Sequence, residues 1–155
     1  MSADKDSAST GSPEKGYLPG ADSFANKQVA AYEASDGAQE STLRGVPTVI
    51  LTTVGHKSGA IRKSPLMRVT DGERYAVVAS KGGAPEHPVW YLNLLADPEV
   101  TLQDKAVRRR YRAHVATGSE REEWWERAAA VWPDYRAYQT RTDREIPVVV
   151  LDPVD

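Results

Sequence analysis

Residues 46–54, VPTVILTTV, form an almost unbroken β-branched run. Val, Ile and Thr are stiff at χ1 and fit a pleated strand better than a helix. A strand that is apolar at nearly every position has cover on both faces, so the chain must pack something against each side of it. IRKSPLMRV (61–69) returns from a hairpin. Pro65 within it predicts an edge position or a bulge, because proline donates nothing to a ladder. Asp71-Gly72 signals a tight turn into a third strand, ERYAVVAS (73–80).

Lys81-Gly82-Gly83 ends that strand. Pro88 is expected at the first position of a helix, VWYLNLLA, where its missing N–H costs nothing, and Asp97-Pro98 stops it. Trp90, Tyr91, Leu94 and Leu95 are expected on its buried face. Residues 99–117 read as a second hairpin, with Val107, Arg109, Tyr111, Ala113 and Val115 alternating with Arg108, Arg110, Arg112 and His114 in the return strand. Ser119 and Glu122 suggest a capping box for a helix whose apolar stripe is Trp124, Trp125, Ala128, Ala129 and Trp132. Pro133 ends it, and DYRAYQTRTDRE leads to a last strand, IPVVVL (146–151).

Upstream, SFANKQVAAYEAS (23–35) reads as a helix with Phe24, Val29 and Tyr32 turned inward. Residues 1–22, rich in Ser, Ala, Gly, Pro and charge, read as a mobile polar tail that cannot bury enough surface to offset ordering. The element order predicts one mainly β domain over 23–155. A largely antiparallel closed sheet with flanking helices outside is the natural solution, since closure removes exposed edges.

At 155 residues the chain has room for one core. A net charge of -2 and a pI near 5.9 argue against nucleic-acid binding. With no cysteine there is no disulfide, thiolate metal site or thiol nucleophile. No apolar h-region opens the sequence and no run approaches a membrane span, so a cytoplasmic protein is expected. GxSxG, Walker, GxGxxG and HExxH patterns are absent. His56, His87 and His114 fall on three different elements, so no metal site is expected. The 108–112 arginine stripe lacks interleaved aromatics for stacking bases and reads as a solvated outer face.

Two stretches carry chemistry, GHKSGAIRKS and ASKGGAPEHPVWYLN. In each, a strand ends in glycine-rich backbone beside a lysine. Glycines let main-chain N–H groups approach an anion, and successive N–H groups can form an anion nest. Lys57, Arg62 and Lys81 add charge, and the start of the Pro88 helix adds its dipole. Both stretches flank strands that can pair, which places the two cationic tips at one end of the sheet. Lys63 alternates away from Arg62 and is left out.

The paired signatures TTxGxKSGxxRxxPL and ASxGGxxxxPxWYxNLxAxPxV, followed by WPDYRAYQTRTDREIPVVVL, resemble the deazaflavin-dependent nitroreductases, quinone reductases that use reduced coenzyme F420. The likeness spans residues 45–151. It implies a split β-barrel related to flavin-binding folds, and hydride transfer from the deazaflavin to a quinone, activated enone or nitro-aromatic acceptor. It also implies a cofactor groove lined by Thr52, Thr53, Gly55, His56, Lys57, Ser58, Gly59, Ala60, Ile61, Arg62, Pro65 and Leu66 from the first stretch. From the second come Val78, Ala79, Ser80, Lys81, Gly82, Gly83, Val89, Trp90, Tyr91, Leu92 and Asn93. Residues 56–61 would meet the phosphodiester and glutamate tail, and 78–81 with 89–93 the ring and ribityl chain. Ser80, Tyr135 and Tyr138 would position the acceptor or donate a proton to it. Met67 and Trp132 replace hydroxyl-bearing aromatics, implying a more apolar acceptor pocket. A small-molecule acceptor, no nucleic acid, no membrane span, and a monomer or homodimer complete the expectation. The alternatives are a non-catalytic deazaflavin carrier and a split-barrel protein that binds FMN or haem.

Overall fold

In the computed structural model, which describes residues 16–19 and 23–154, strand β2 (Val46–Val54) is covered on both faces. Val49 and Leu51 point into an interior shared with Val77, Ala79, Val100, Leu102, Tyr111, Ala113, Val149 and Leu151. On the opposite face Ile50 packs with Val29 and Tyr32 of helix α1 (Ser23–Ala34). The Tyr32 hydroxyl donates to the Thr48 carbonyl at 2.9 Å and accepts from the Lys105 amide at 2.6 Å, so α1 is bonded as well as packed.

The remaining strands are β1 (Thr42–Leu43), β3 (Ile61–Met67), β4 (Val69–Thr70), β5 (Tyr75–Val78), β6 (Glu99–Asp104), β7 (Val107–Val115) and β8 (Val148–Pro153). All strand pairings are antiparallel. Hydrogen-bonded order runs β1-β2-β6-β7-β8-β5-β4, with β3 on the free side of β2. The sheet therefore curls into the split, antiparallel β-barrel with flanking helices that the resemblance implies, open where element order alone suggested full closure. β3 bonds to β2 and β4 to β5, and between β3 and β5 there is a split. Pro65 sits in β3 as an edge-strand proline, opposite Ile50.

The exposed edge of β3 is met at its start by Gly16–Pro19. The Ile61 amide donates to the Gly16 carbonyl at 2.7 Å and the Leu18 amide to the Ile61 carbonyl at 2.8 Å, a parallel bridge. These four residues fall within the segment read as a mobile tail; its other residues lie outside the described residues.

Helix α2 (Val89–Ala96) lays Trp90, Tyr91 and Leu94 on the barrel interior. Helices α3 (Gly118–Val131) and α4 (Asp134–Thr140) cover the outer face of β5 and β8 through Trp124, Ala128 and Tyr135. No helix among the described residues is long and apolar enough to cross a membrane.

Several local expectations are corrected. Phe24 is 71% exposed, because α1 is anchored by Val29 and Tyr32 further along. Leu95 is 53% exposed and Asn93 takes its buried place, since Trp90, Tyr91 and Leu94 fix the inner face and leave Leu95 a further 100° round. Val107 and Val115, at the ends of β7, are exposed. Pro88 precedes α2 as its extended N-cap. Thr117, not Ser119, stands at the N-cap of α3 and makes no side-chain capping bond, so the capping box does not form.

Candidate functional site

The β2–β3 hairpin is closed by its own backbone. Gly55 donates to the Ala60 carbonyl at 2.7 Å, and Gly59 to the Gly55 carbonyl at 2.9 Å. Gly59 holds φ +73° with open space where a Cβ would lie. His56, Lys57, Ser58 and Gly59 are exposed. The Lys57 and Ser58 amides and the Lys57 ammonium have no partner among the described residues.

Strand alternation separates the next two cations. Arg62 shares the face of Thr53, and its guanidinium donates to the carbonyls of Leu18 at 2.6 Å and Pro19 at 3.3 Å. Lys63, on the other face, bonds Glu33 of α1 at 2.6 Å with side chains only 2% and 12% exposed. Thr52 and Pro65 lie on that outer face too, whereas Leu66 turns inward.

On the far side of the split, β5 runs into a single 3-10 turn, Lys81–Gly83, whose three residues all have positive φ. Gly82 is open, but a Cβ on Gly83 would lie 2.6 Å from the Tyr138 carbonyl oxygen. Only glycine lets α4 approach this turn so closely. Lys81 pairs with Glu86 at 3.6 Å, both exposed. Ser80 is buried, and its hydroxyl makes no hydrogen bond among the described residues. Ala79 faces the interior while Val78 packs outward under α3, so only the first of these two side chains reaches the inside.

Asn93 ties the two stretches together. It is 1% exposed, its Oδ1 accepts from the His56 amide at 3.0 Å and contacts His56 Nδ1 at 2.7 Å, and its Nδ2 donates to Thr53 Oγ1 at 3.2 Å. Trp90 and Tyr91 are buried beside it, and Val89 and Leu92 are exposed on the other side of α2.

Tyr135 is buried in the outer layer, edge-on to Tyr138 with ring centroids 6.1 Å apart. Burial, then the neighbouring Tyr138, pushes its phenol above the ordinary range. The Tyr138 hydroxyl accepts from the Trp132 indole N–H at 3.2 Å. The Trp132 indole N–H is spent on this bond, and Met67 packs with Trp132 in the same outer layer.

Residues that the sequence reading passed over are Arg141 and Arg144, between α4 and β8. Both bond main-chain carbonyls of the 79–84 stretch. Their partners are backbone atoms, so no spacing rule marks them; the one available signal is that they directly precede an unbroken apolar strand.

The sequence model of the F420H(2)-dependent quinone reductase family matches residues 24–153. The chain belongs to this family. Reduced coenzyme F420 is accordingly its cofactor. The chain is 34% identical over 131 residues to the F420H(2)-dependent quinone reductase Rv1261c of Mycobacterium tuberculosis, covering 79% of this chain and 85% of that protein. A solved F420-H2-dependent reductase, FDR-A, is 48% identical at a TM-score of 0.65, covering 68% of this chain and 94% of its own. A domain-swapped dimer is 41% identical at a TM-score of 0.66, covering 82% and 99%. Among quinone reductases of this family the cofactor is a polyanion. A cavity of about 450 Å³ beside α3 and α4 is bordered by Glu122, Glu126, Asp143 and Glu145 against the single cation Arg121, a net negative lining and the wrong sign for it. The glycine-rich, cationic ends of the split have the right one.

Proposed function

We propose that this protein transfers a hydride from reduced coenzyme F420 to a quinone, with activated enones and nitro-aromatics as further acceptors, and holds the cofactor along the split between β3 and β5. The observation that carries this reading is Asn93, whose bonds to His56 and Thr53 fix α2 and the hairpin together. One end of the split thus presents both glycine-rich stretches.

The Lys57 ammonium and the adjoining Lys57 and Ser58 amides, without partners among the described residues, suit a phosphodiester and glutamate tail. Open backbone at Gly59 and Gly82 lets an anion come close without meeting a Cβ. Ala79, Trp90 and Tyr91 form an apolar wall that excludes water. When bound, reduced F420 supplies a hydride from carbon, so the protein's own part is positioning and polarisation. An oxyanion builds on the acceptor as it is reduced, and donors near it lower that cost. The Ser80 hydroxyl has no hydrogen-bond partner among the described residues. The Tyr138 hydroxyl accepts from Trp132 and so keeps its own proton to give. Tyr135, its phenol held above the ordinary range, stays neutral.

The solved relative that forms a domain-swapped dimer supports a homodimer as one assembly of this chain. The decisive experiment incubates the protein with reduced F420 and menadione, then with an enone and a nitro-aromatic, and follows return of the oxidised cofactor's absorbance. Oxidation that depends on protein and acceptor is expected. No oxidation with any of the three acceptors would leave a cofactor carrier, not a reductase.

A further inference from the structure

Arg144 makes an unusually complete set of bonds for a half-buried side chain. Nε donates to the Ala84 carbonyl at 2.9 Å, Nη2 to the Ser80 carbonyl at 2.8 Å, and Nη1 to the Ala79 carbonyl at 3.1 Å. Nη1 also lies 3.1 Å from His87 Nδ1. All four partners belong to the stretch that runs from the end of β5 to the start of α2. A guanidinium has five donors in a fixed fork and no acceptor. The contact with Nδ1 therefore requires the imidazole lone pair there, which puts the proton of a neutral His87 on Nε2. The His87 ring in turn lies against Tyr91, with centroids 4.7 Å apart. Arg141 adds a longer bond to the Gly82 carbonyl at 3.4 Å.

We propose that Arg144 is the positioning residue of the cofactor site: it fixes the 79–87 stretch in one conformation and holds His87 as a neutral Nε2–H donor beside Tyr91. The inference rests on the cofactor lying along the split. Burial and then the Arg144 charge push the imidazole below its ordinary range, which agrees with a neutral ring. Lysine could not replace this arginine, because its donors radiate from one nitrogen and cannot span four acceptors on residues 79 to 87.

The test measures two things on the full chain, for the wild type and for Arg144→Gln and Arg144→Lys. One is the His87 tautomer at neutral pH, from a long-range proton–nitrogen correlation of isotope-labelled imidazoles. The other is the Kd for oxidised F420, from fluorescence titration. The wild type is expected to show Nδ1 bare and Nε2 protonated. Both variants are expected to lose that single tautomer and to bind F420 about tenfold more weakly, a loss worth one step in the affinity scale. Arg144→Lys keeps the charge and stem, so it serves if Arg144→Gln does not fold. A wild-type ring protonated at Nδ1 would overturn the clamp, as would variants that bind F420 like the wild type. If the wild type itself does not bind F420, the functional reading fails, and the tautomer alone decides the clamp.

Discussion

Asn93 Oδ1 lies 3.0 Å from the backbone nitrogen of His56 and 2.7 Å from its Nδ1. One carbonyl oxygen thus accepts twice from the same residue, and the ring must carry its proton on the nitrogen that donates. The same amide reaches Thr53 through Nδ2, so a helix that follows the 79–88 stretch is bonded to the hairpin on the other glycine-rich stretch. Asn93→Leu keeps the shape but leaves the His56 amide and the buried Thr53 hydroxyl short of a partner. It is expected to cost about 2–4 kcal/mol, read from urea unfolding, and to weaken F420 binding. A variant as stable as the wild type would mean that the fastening lies elsewhere.

Gly82 and Gly83 are adjacent, both at positive φ, and yet differ in surroundings. Gly82→Ala meets nothing and should cost about 1–2 kcal/mol from backbone strain alone. Gly83→Ala drives a Cβ into the Tyr138 carbonyl, adding roughly 1–3 kcal/mol of overpacking and displacing α4. Thermal or denaturant unfolding of the two variants checks this. Equal losses would contradict the close approach of α4.

Lys63 and Glu33 form an ion pair with almost no exposure, and the Tyr17 ring lies 4.8 Å from the ammonium. Lys63→Met alone strands a buried carboxylate and is expected to cost about 3–5 kcal/mol. The double variant Lys63→Met with Glu33→Leu should recover most of that, because it removes the stranded charge. Unfolding free energies of the two singles and the double give the coupling; additive losses would deny it.

Among the described residues the Lys57 ammonium has no partner, and Arg62 is bonded to the Leu18 and Pro19 carbonyls. Lys57→Ala and Arg62→Ala should each weaken F420 binding, and more so at low salt than at high, since the contact is with an anionic tail at an exposed site. Titrations at two ionic strengths read the effect. An affinity that is the same for the wild type and the double variant removes the hairpin's role.

Where the cause was local, the sequence was legible. The β-branched run of β2, the breaks at Lys81–Gly83 and Pro133, and the alternation of Arg62 against Lys63 each follow from neighbours a few residues away. Closure of the sheet was not legible, because whether β3 bonds β5 depends on pairing between distant segments. Asn93 was read as a cofactor contact from its place in the second signature. Its bonds to His56, thirty-seven residues away, belong to tertiary structure. Ser119 satisfied a capping pattern, but the N-cap of α3 is Thr117, two residues earlier, and the helix starts at Gly118. Arg144 left no trace beyond its place ahead of the last apolar strand, since a side chain that binds carbonyls can serve any sequence that brings them within reach.

The most direct measurement is a side-by-side fluorescence titration of the purified protein with oxidised F420, with its fragment lacking the phosphodiester and glutamates, and with FMN. Tightest binding by intact F420, with a preference over the fragment that shrinks as salt rises, is the predicted result. Tight binding of FMN with none of F420 would contradict a split built for a deazaflavin with a polyanionic tail.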